Sequence, residues 1–336
     1  MNARHGHADV LTVTYGDCTV VLPLLASLQL QASHVQRVLI WHNGPEAFDR
    51  TLLPAGTLEI EVHESGENLG YGAGINRLWA LSSAGVAVVV NPDVELDASC
   101  LTELLQAAWS APPPVLVGGI LGNVHGNINA FALSLTWDGL GINIDRGKNL
   151  RTFAGRAAGQ AAESRAVAPS GALFAVNRDT WAQLGGGPLF TESLFLYLED
   201  VALGLRVRRL GGRLRFCAQA RGLHRFSNST GRRSALKLFH VERNRLWLQR
   251  TIASSARTLA TMPFTWLRFA AYLKSQQSSI VNAESVNLLP ILLRAWKVGM
   301  FAPVPQELRT YLAGGTSLPL LPFVAPLRNQ LQDPTA

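Results

Sequence analysis

An acidic residue directly after a buried strand is the first candidate for chemistry in this sequence. The run Val86–Val90 holds only small or β-branched apolar residues, which is typical of a central parallel strand covered on both faces. Asn91 and Pro92 end the strand, because proline cannot donate to a hydrogen-bond ladder. Asp93 therefore lies at a carboxyl edge where open α/β sheets bind ligands, and it could hold a divalent cation against a diphosphate. On its own the motif favours an ordinary turn aspartate, because short motifs match by chance.

A pair of adjacent carboxylates, Glu199 and Asp200, is the second candidate. The pair follows the apolar run 194–198 and opens a predicted helix. One acidic residue there is ordinary, because the helix dipole favours negative charge in the first turn. The other could ionise and take a proton from an attacking hydroxyl if it faces a cleft. A structural cap and a general base both stay open.

A glycine-rich loop at 68–76 leads into a predicted helix. Its backbone N–H groups, together with the helix N-terminus, would suit a phosphate. The loop lacks the lysine of a P-loop and the acidic follow-up of a dinucleotide motif. A tight left-handed turn with close helix–sheet packing explains the glycines equally well.

Two histidines lie near these motifs. His224 stands in a predicted loop, and a ligand role for it requires a carboxylate from another strand, for which Asp93 is the candidate. His42 ends the second predicted strand at the same sheet edge as Asp93. The ordinary alternatives are a surface or packing role for His224 and a solvated turn for His42.

The elements that must position these residues alternate along the chain. The order β-α-β-β-α-β-α-β over the first 118 residues predicts a mainly parallel sheet covered by helices. Residues 119–170 are less regular and predict hairpins with a mobile loop at 147–163. A short strand at 214–216, a loop at 222–227 and amphipathic helices from about 232 to 299 complete the prediction.

Composition limits the class of protein. The chain of 336 residues is 48% hydrophobic and 16% charged, which fits a well-cored α/β domain with an appendage. A net charge of +7 indicates an anionic partner. Cys18, Cys100 and Cys217 are too far apart for a zinc motif, and a reducing cytoplasm is expected. With no signal peptide and no apolar run of about 18 residues, the protein is expected to be soluble or bound only to a membrane surface.

Basic residues are concentrated after position 231. A solvated face over a packed stripe is the favoured interpretation. The alternative is a surface for anionic lipid head groups. The basic residues are Arg232, Arg233, Lys237, Arg243, Arg245 and Arg250. The apolar residues that would extend such a surface are Phe264, Trp266, Phe269, Tyr272, Leu288, Leu289 and Trp296.

Four motifs occur together in one order: the loop at 68–76, Asn91-Pro92-Asp93, Ser170-Gly171-Ala172 and the run at 195–200 that ends in Glu199-Asp200. His224 and Ser227 follow them. This set resembles the family 2 glycosyltransferases, in particular the rhamnosyltransferase-like branch of bacterial surface-polysaccharide assembly. The resemblance covers about residues 9 to 250.

The resemblance implies a GT-A fold and inverting, single-displacement transfer from a nucleotide-diphosphate sugar. It implies Asp200 as the catalytic base with Glu199 beside it, and Asp93 with His224 as ligands of Mg²⁺ or Mn²⁺. Gly171 would approach the donor sugar. The other positions implied around the nucleotide-sugar are Thr14, Tyr15, His42, Asn68, Gly70, Asn76, Asn91 and Asp93.

Two positions depart from the family pattern. Asn91 replaces the first carboxylate of the metal motif, so the metal would rest on Asp93 and His224. His42 stands where the family usually has an aspartate that hydrogen-bonds the base of the nucleotide. Rhamnose from dTDP-rhamnose is the expected donor sugar, and a UDP-sugar is the alternative.

The implied organisation is a disordered N-terminus at 1–9, a GT-A catalytic domain at 10–230 and a C-terminal helical region at 231–336. The expected acceptor is a lipopolysaccharide, an O-antigen or another glycan or glycolipid. The C-terminal region could contact acceptor, anionic membrane or another subunit in a homo-oligomer. The expected location is the cytoplasm, including the inner face of the cytoplasmic membrane.

Two other classes of protein share some of these features. A nucleotidyltransferase also uses a parallel sheet, a glycine-rich loop and a metal carboxylate, but its basic first loop has no counterpart at Tyr15-Gly16-Asp17. A non-catalytic module that binds anionic lipid or nucleic acid would explain the charge. Nucleic acid is not an expected partner, because the basic residues form no recognisable reading motif.

Overall fold

The computed structural model describes residues 6–153, 156–225, 235–277 and 287–314. The strands are β1 (Ala8–Thr14), β2 (Val35–His42), β3 (Ile60–Glu64), β4 (Val86–Val90), β5 (Val94–Leu96), β6 (Leu116–Gly122), β7 (Ile128–Ala130), β8 (Ala132–Leu135), β9 (Gly141–Asn143), β10 (Ala168–Pro169), β11 (Leu173–Asn177) and β12 (Leu214–His224). The helices are α1 (Leu22–Gln29), α2 (Tyr71–Leu81), α3 (Cys100–Ala108), α4 (Arg156–Arg165), α5 (Arg178–Gln183), α6 (Glu199–Arg209), α7 (Ala235–Ile252), α8 (Ser255–Ala260), α9 (Met262–Gln277), α10 (Leu288–Phe301) and α11 (Gln306–Tyr311).

A central sheet organises the chain from β1 to β12. Its strand order is β3-β2-β1-β4-β11-β6-β12-β5, with β7 paired to β6. β1 runs parallel to both β2 and β4, and β11 inserts antiparallel between β4 and β6. The carboxyl ends of β1, β2 and β4 therefore share one edge, as the alternating pattern predicts.

Apolar strands and amphipathic helices build a core on each face of this sheet. Every residue of Val86–Val90 is fully buried, which confirms that β4 is a central strand. Leu24 of α1 and Leu104 of α3 pack on one face. Leu78 of α2 and Leu203 of α6 pack on the other. Each such leucine contributes roughly 1.5–3 kcal/mol through burial.

The region 119–170 forms the predicted hairpins, and part of it is more regular than predicted. β8 pairs with β9 and β10 in a second, three-stranded sheet. The predicted mobile loop at 147–163 is wrong over its second half, where α4 begins at Arg156 and packs on β12. A Cβ on Gly159 would lie 2.1 Å from the Phe216 carbonyl oxygen, so glycine permits this close helix–strand contact.

Two strands are longer than the sequence suggests. β1 begins at Ala8, so Ala8 and Asp9 belong to the sheet instead of the predicted disordered N-terminus. β12 runs from Leu214 to His224 with a register irregularity between Phe216 and Arg221. His224 thus ends a strand instead of lying in a loop. Ser227 lies outside the described residues.

A buried ionic network joins α7 and α9 to the hairpin of β8 and β9. Arg245 of α7 and Arg268 of α9 meet Glu242 of α7 and Asp138, which lies between β8 and β9. Burial by itself would raise the pKa of the Asp138 carboxyl, but the guanidinium groups of Arg268 and Arg245 outweigh it and lower that pKa to about 2. The two guanidinium groups likewise hold the pKa of buried Glu242 below its usual value.

This network corrects the predicted cationic surface. Arg245 is fully buried, and Phe269, Tyr272 and Leu288 belong to the core between the helices. Trp266 and Leu289 do stand exposed. Arg232 and Arg233 lie outside the described residues. No helix of the described chain is both long and apolar enough to cross a membrane.

Candidate active site

Asp93 and His224 meet at the carboxyl edge of the sheet. Nε2 of His224 lies 3.0 Å from Oδ1 of Asp93, although the residues are 131 positions apart. β12 pairs antiparallel with β5, with His224 opposite Val94, and this pairing sets the imidazole beside the turn that follows β4. Nδ1 of His224 lies 2.9 Å from Oδ1 of Asn129. Asn129 thus orients the ring, as polar partners of metal-ligating histidines do.

The Asp93–His224 pair fits a divalent cation in part. The separation of 3.0 Å between the two donor atoms matches two neighbouring ligands about 2.1 Å from an octahedral cation. Within the described residues, no group of three or more His, Cys, Asp or Glu side chains could hold a metal. A cation here would therefore need further ligands from a substrate or from water.

The two carboxylates of α6 differ in their hydrogen bonds. Oδ2 of Asp200 accepts the Gly171 backbone N–H at 2.9 Å, and Oδ1 accepts the Val201 N–H at 2.8 Å. Glu199 is buried, and its Oε2 has no hydrogen-bond partner within the described part of the chain. Backbone donors favour the ionised form of Asp200, whereas nothing comparable stabilises a charge on Oε2 of Glu199.

The pKa values follow from this difference. Burial, together with the nearby Asp200 charge, raises the pKa of Glu199 to about 8. Burial also raises the pKa of Asp200, and the N–H groups of Gly171 and Val201 oppose that rise. With a pKa of about 8, Glu199 is expected to hold a proton at neutral pH. The two backbone N–H donors make Asp200 the better candidate for a proton acceptor.

A cleft of about 420 Å³ is lined by Glu199, Asp200 and His224. Three polar lining residues escaped the sequence analysis because they come from the irregular hairpin region: Asn129, Asn143 and Arg146. Ser170, Tyr197 and Lys237 also line the cleft, and the sequence analysis had named them only as parts of motifs or of the basic region. Of the residues that line the cleft, Lys237 lies in the C-terminal region, for which an acceptor contact was one of the expectations.

The glycines of the glycine-rich loop allow close packing, as one of the two interpretations of the sequence predicts. Gly70 has a φ of 87°, and a Cβ there would lie 2.3 Å from the Phe195 carbonyl oxygen. A Cβ on Gly74 would lie 2.9 Å from Val13. Asn76 uses both ends of its amide to bind the backbone of Phe190, at 2.9 Å each. These residues hold α2 against its neighbours, and their contact with a nucleotide stays a prediction.

The other predicted nucleotide positions differ in exposure. Tyr15 is half exposed, and Asn68 is exposed while its side chain accepts the Gly70 N–H at 3.0 Å. Thr14 and His42 are fully buried, with Oγ1 of Thr14 2.9 Å from Nδ1 of His42. Their contact with a nucleotide stays a prediction. The half-buried Asn91 donates its N–H to the carbonyl of Ala172.

Comparison with known proteins identifies relatives of the chain. No protein-family profile matches the chain. Over 246 residues the chain is 30% identical to the N-acetylglucosaminyl-diphospho-decaprenol L-rhamnosyltransferase of Mycobacterium tuberculosis, in both strain CDC 1551 / Oshkosh and strain ATCC 25618 / H37Rv. The alignment covers 68% of this chain and 79% of the relative.

Solved structures show the same fold. The mannosyltransferase PcManGT from Pyrobaculum calidifontis, in complex with GDP-Man and Mn²⁺, has a TM-score of 0.50 at 12% identity and covers 88% of this chain and 87% of its own. GalNAc-T7 with UDP, GalNAc and Mn²⁺ has a TM-score of 0.50 at 11% identity, over 87% of this chain and 53% of its own.

The fold is therefore GT-A, as expected, and the protein is a glycosyltransferase. The chain belongs to the rhamnosyltransferase-like branch of the family 2 glycosyltransferases. Membership in this family rules against both alternatives from the sequence, a nucleotidyltransferase and a non-catalytic binding module.

Proposed function

We propose that this glycosyltransferase moves rhamnose from dTDP-rhamnose to a hydroxyl of a lipid-linked glycan, by inverting single displacement with Asp200 as the base. The observation that carries this proposal is the asymmetry of the carboxylate pair in the cleft. Asp200 accepts two backbone N–H groups, whereas Oε2 of the buried Glu199 has no hydrogen-bond partner within the described part of the chain. The name of the 30% identical relative specifies an L-rhamnosyl group and a diphospho-decaprenol-linked acceptor, and it supports rhamnose as the sugar and a lipid-linked glycan as the acceptor.

Asp200 would take the proton from the acceptor hydroxyl as that oxygen attacks the anomeric carbon. The bond from that carbon to the nucleotide diphosphate breaks in the same step, so configuration inverts. Glu199 stays neutral, which avoids a second negative charge beside the base. Gly171 keeps the carboxylate aimed at the cleft through its N–H.

Asp93 and His224 would hold Mg²⁺ or Mn²⁺ on the diphosphate side of the cleft. A bound cation would supply charge neutralisation for the departing nucleotide. The Mn²⁺ in the complexes of PcManGT and GalNAc-T7 supports this assignment. Asn129 would keep the His224 ring in its ligating orientation.

Positive charge in the cleft suits an anionic substrate. Arg146, from the segment after β9, and Lys237, from α7, both line the cleft together with His224. A donor nucleotide diphosphate and an acceptor polyprenol diphosphate both carry the charge that these side chains would bind.

The deciding experiment is a transfer assay with dTDP-, UDP- and GDP-sugars, with and without Mn²⁺, on a polyprenol-diphosphate-linked N-acetylglucosamine acceptor. Transfer from dTDP-rhamnose is expected. D200N should abolish transfer while nucleotide affinity changes little. D179N is the matched control, because Asp179 also occupies a first helical turn but is exposed. Transfer by a folded D200N enzyme would remove Asp200 from the base role.

We also propose that the C-terminal helices contact an anionic membrane, where a polyprenol-linked acceptor resides. Large apolar side chains stand exposed on these helices, and Arg294 and Lys297 of α10 are exposed as well. They are Leu259, Trp266, Leu267, Leu289, Leu293 and Phe301. Such a surface favours anionic head groups.

Flotation with vesicles of anionic or zwitterionic lipid tests this contact. Binding to anionic vesicles is expected, and it should fall in the double variant W266S/L267S. L30S is the control, because Leu30 is 78% exposed at the end of α1. Equal flotation of W266S/L267S and wild type would contradict the proposed surface.

A further inference from the structure

The segment that leads into the carboxylate pair has an unusual backbone. Phe195, Tyr197 and Leu198 all have positive φ, at 63°, 67° and 68°. None is glycine, so each is held in a conformation that its Cβ disfavours. Glu199 and Asp200 follow directly as the first residues of α6. Such a segment persists only when surrounding contacts determine its conformation.

Asn244 of α7 supplies those contacts from one side. Its Nδ2 lies 2.9 Å from the carbonyl oxygen of Leu194, 2.8 Å from that of Leu196 and 2.8 Å from that of Tyr197. Asn244 is fully buried. One amide group therefore gathers three carbonyls of the strained segment around itself.

Arg243 fixes the orientation of this amide. Its Nε and Nη2 lie 2.9 Å and 2.7 Å from Oδ1 of Asn244. A guanidinium only donates hydrogen bonds, so the amide atom that faces it must be oxygen. The NH₂ group is thereby directed at the three carbonyls. Nη2 of Arg243 also donates to the Leu194 carbonyl at 2.9 Å.

The start of α2 holds the same segment from the opposite side. The Tyr71 N–H donates to the Phe195 carbonyl at 3.0 Å. The missing side chain of Gly70 makes room for that carbonyl, because a Cβ would approach it to 2.3 Å. The segment 194–198 is thus clamped between α2 of the catalytic part and α7 of the C-terminal helices.

We propose that Asn244 is a positioning residue for the catalytic base, oriented by Arg243. It holds the left-handed segment so that Asp200 enters α6 with its carboxylate facing the cleft. This inference rests on the proposed role of Asp200, and it makes α7 a part of the catalytic unit. Asn244 itself contacts no reacting atom.

N244D tests the proposal, because it keeps the size of the side chain and places a carboxylate oxygen against the three carbonyls. We expect kcat to fall about a hundredfold, as for a misplaced catalytic group, with the donor KM within about threefold of wild type. The acid limb of the pH dependence of kcat should shift, because the base changes its surroundings. If the role of Asn244 is purely structural, N244D should lower thermal stability and leave kcat and its pH dependence unchanged.

Q249E is the matched control. Gln249 is a buried amide on the same helix, and its Nε2 binds Oγ1 of Thr261 instead of the base segment. Q249E should lose stability comparably and keep kcat and its pH dependence. A folded N244D with wild-type kcat and pH dependence would overturn the proposal.

R243M replaces N244D as the test if N244D does not fold, because it removes the group that orients the amide from a half-buried position. We expect a fall in kcat of about tenfold with the donor KM retained; an unchanged kcat would overturn the proposal.

Wild type and D200N are assayed alongside. Absent wild-type transfer, or an active D200N, counts against the proposed function. Loss in D200N with full activity in N244D or R243M counts against the positioning role alone.

Discussion

Gly171 donates its backbone N–H to Oδ2 of Asp200 at 2.9 Å, and its carbonyl accepts the Tyr71 hydroxyl at 2.9 Å. The residue thus connects the start of α2 to the carboxylate that we assign as the base. A Cβ at this position would lie 3.2 Å from Oδ2 and 3.3 Å from the Cβ of Asp200. The absence of a side chain at Gly171 leaves room for the Asp200 carboxylate, and the Gly171 N–H donates a hydrogen bond to it.

G171A should therefore displace the base. We expect kcat to fall at least tenfold with little change in nucleotide affinity, because a small misplacement of a catalytic group costs rate more than binding. The measurement is steady-state transfer with donor titration. G6A is the control, since a methyl group there meets no atom within 4 Å. Full activity of G171A would show that the base tolerates displacement.

E199Q should stabilise the protein at alkaline pH. The folded-state pKa of Glu199, about 8, lies above its unfolded value, so its favourable contribution is complete below about pH 4.5 and is lost as pH rises toward 8. The amide side chain introduced by E199Q would imitate the protonated carboxyl without titrating. The expected gain over wild type is small at pH 5 and on the order of a few kcal/mol at pH 9.

Urea unfolding in EDTA at pH 5, 7 and 9 measures the effect of E199Q. Transfer activity should stay within about tenfold of wild type at pH 7, because neutral Glu199 is the working form. A stability difference that does not grow with pH would contradict the buried, protonated assignment.

D93A should weaken donor binding only where metal is present. Asp93 offers the one carboxylate of the Asp93–His224 pair, so its removal should raise the donor Kd in Mn²⁺ and leave the Kd in EDTA unchanged. Isothermal titration with the nucleotide-sugar measures both. Equal donor affinity of wild type and D93A in Mn²⁺ would count against the metal role.

N129A should loosen the His224 ring without removing a ligand. Partners of metal-ligating histidines typically contribute about 10–100-fold to metal affinity, so the Mn²⁺ concentration for half-maximal activity should rise by a similar factor. Saturating Mn²⁺ should restore most of kcat. A half-activation point unchanged from wild type would show that His224 needs no orientation.

D138N should destabilise the protein by about 3–5 kcal/mol, because it leaves buried Arg245 and Arg268 without one of their two carboxylate partners. The depressed pKa of Asp138 means that its contribution is present above about pH 3.8 and is lost as pH falls toward 2. Urea unfolding at pH 7 and pH 3 measures both effects.

E95Q, which breaks an exposed pair with Arg225, should cost less than about 1 kcal/mol. If D138N lowers the free energy of unfolding no more than E95Q does, the buried ionic network does not stabilise the protein as we expect.

Local pattern explains why much of the site was predictable. Val86–Val90 reads as a buried strand from its own residues, and Pro92 places Asp93 at the strand end whatever the rest of the chain does. The apolar run followed by Glu199 and Asp200 likewise predicts a helix start, which the structure has at Glu199. These inferences depend on periodicity and on breakers, both of which are encoded within a few residues.

Only tertiary structure decided which distant residues meet. His224 reaches Asp93 because β12 continues well beyond its predicted end at position 216 and pairs with β5, a matter of inter-strand pairing. Arg245 belongs to a buried network although its neighbours in sequence suggested a charged surface.

Asn244 illustrates the same limit most directly. Its sequence neighbourhood gives no hint of the segment 194–198, some 50 residues away. By itself, the sequence determined the α/β alternation, the strand-end aspartate and the carboxylate pair that begins α6. Only the folded chain decided that Asp200 accepts two N–H groups while Oε2 of the buried Glu199 has no partner within the described residues, because burial and hydrogen bonding depend on neighbours that the fold brings together.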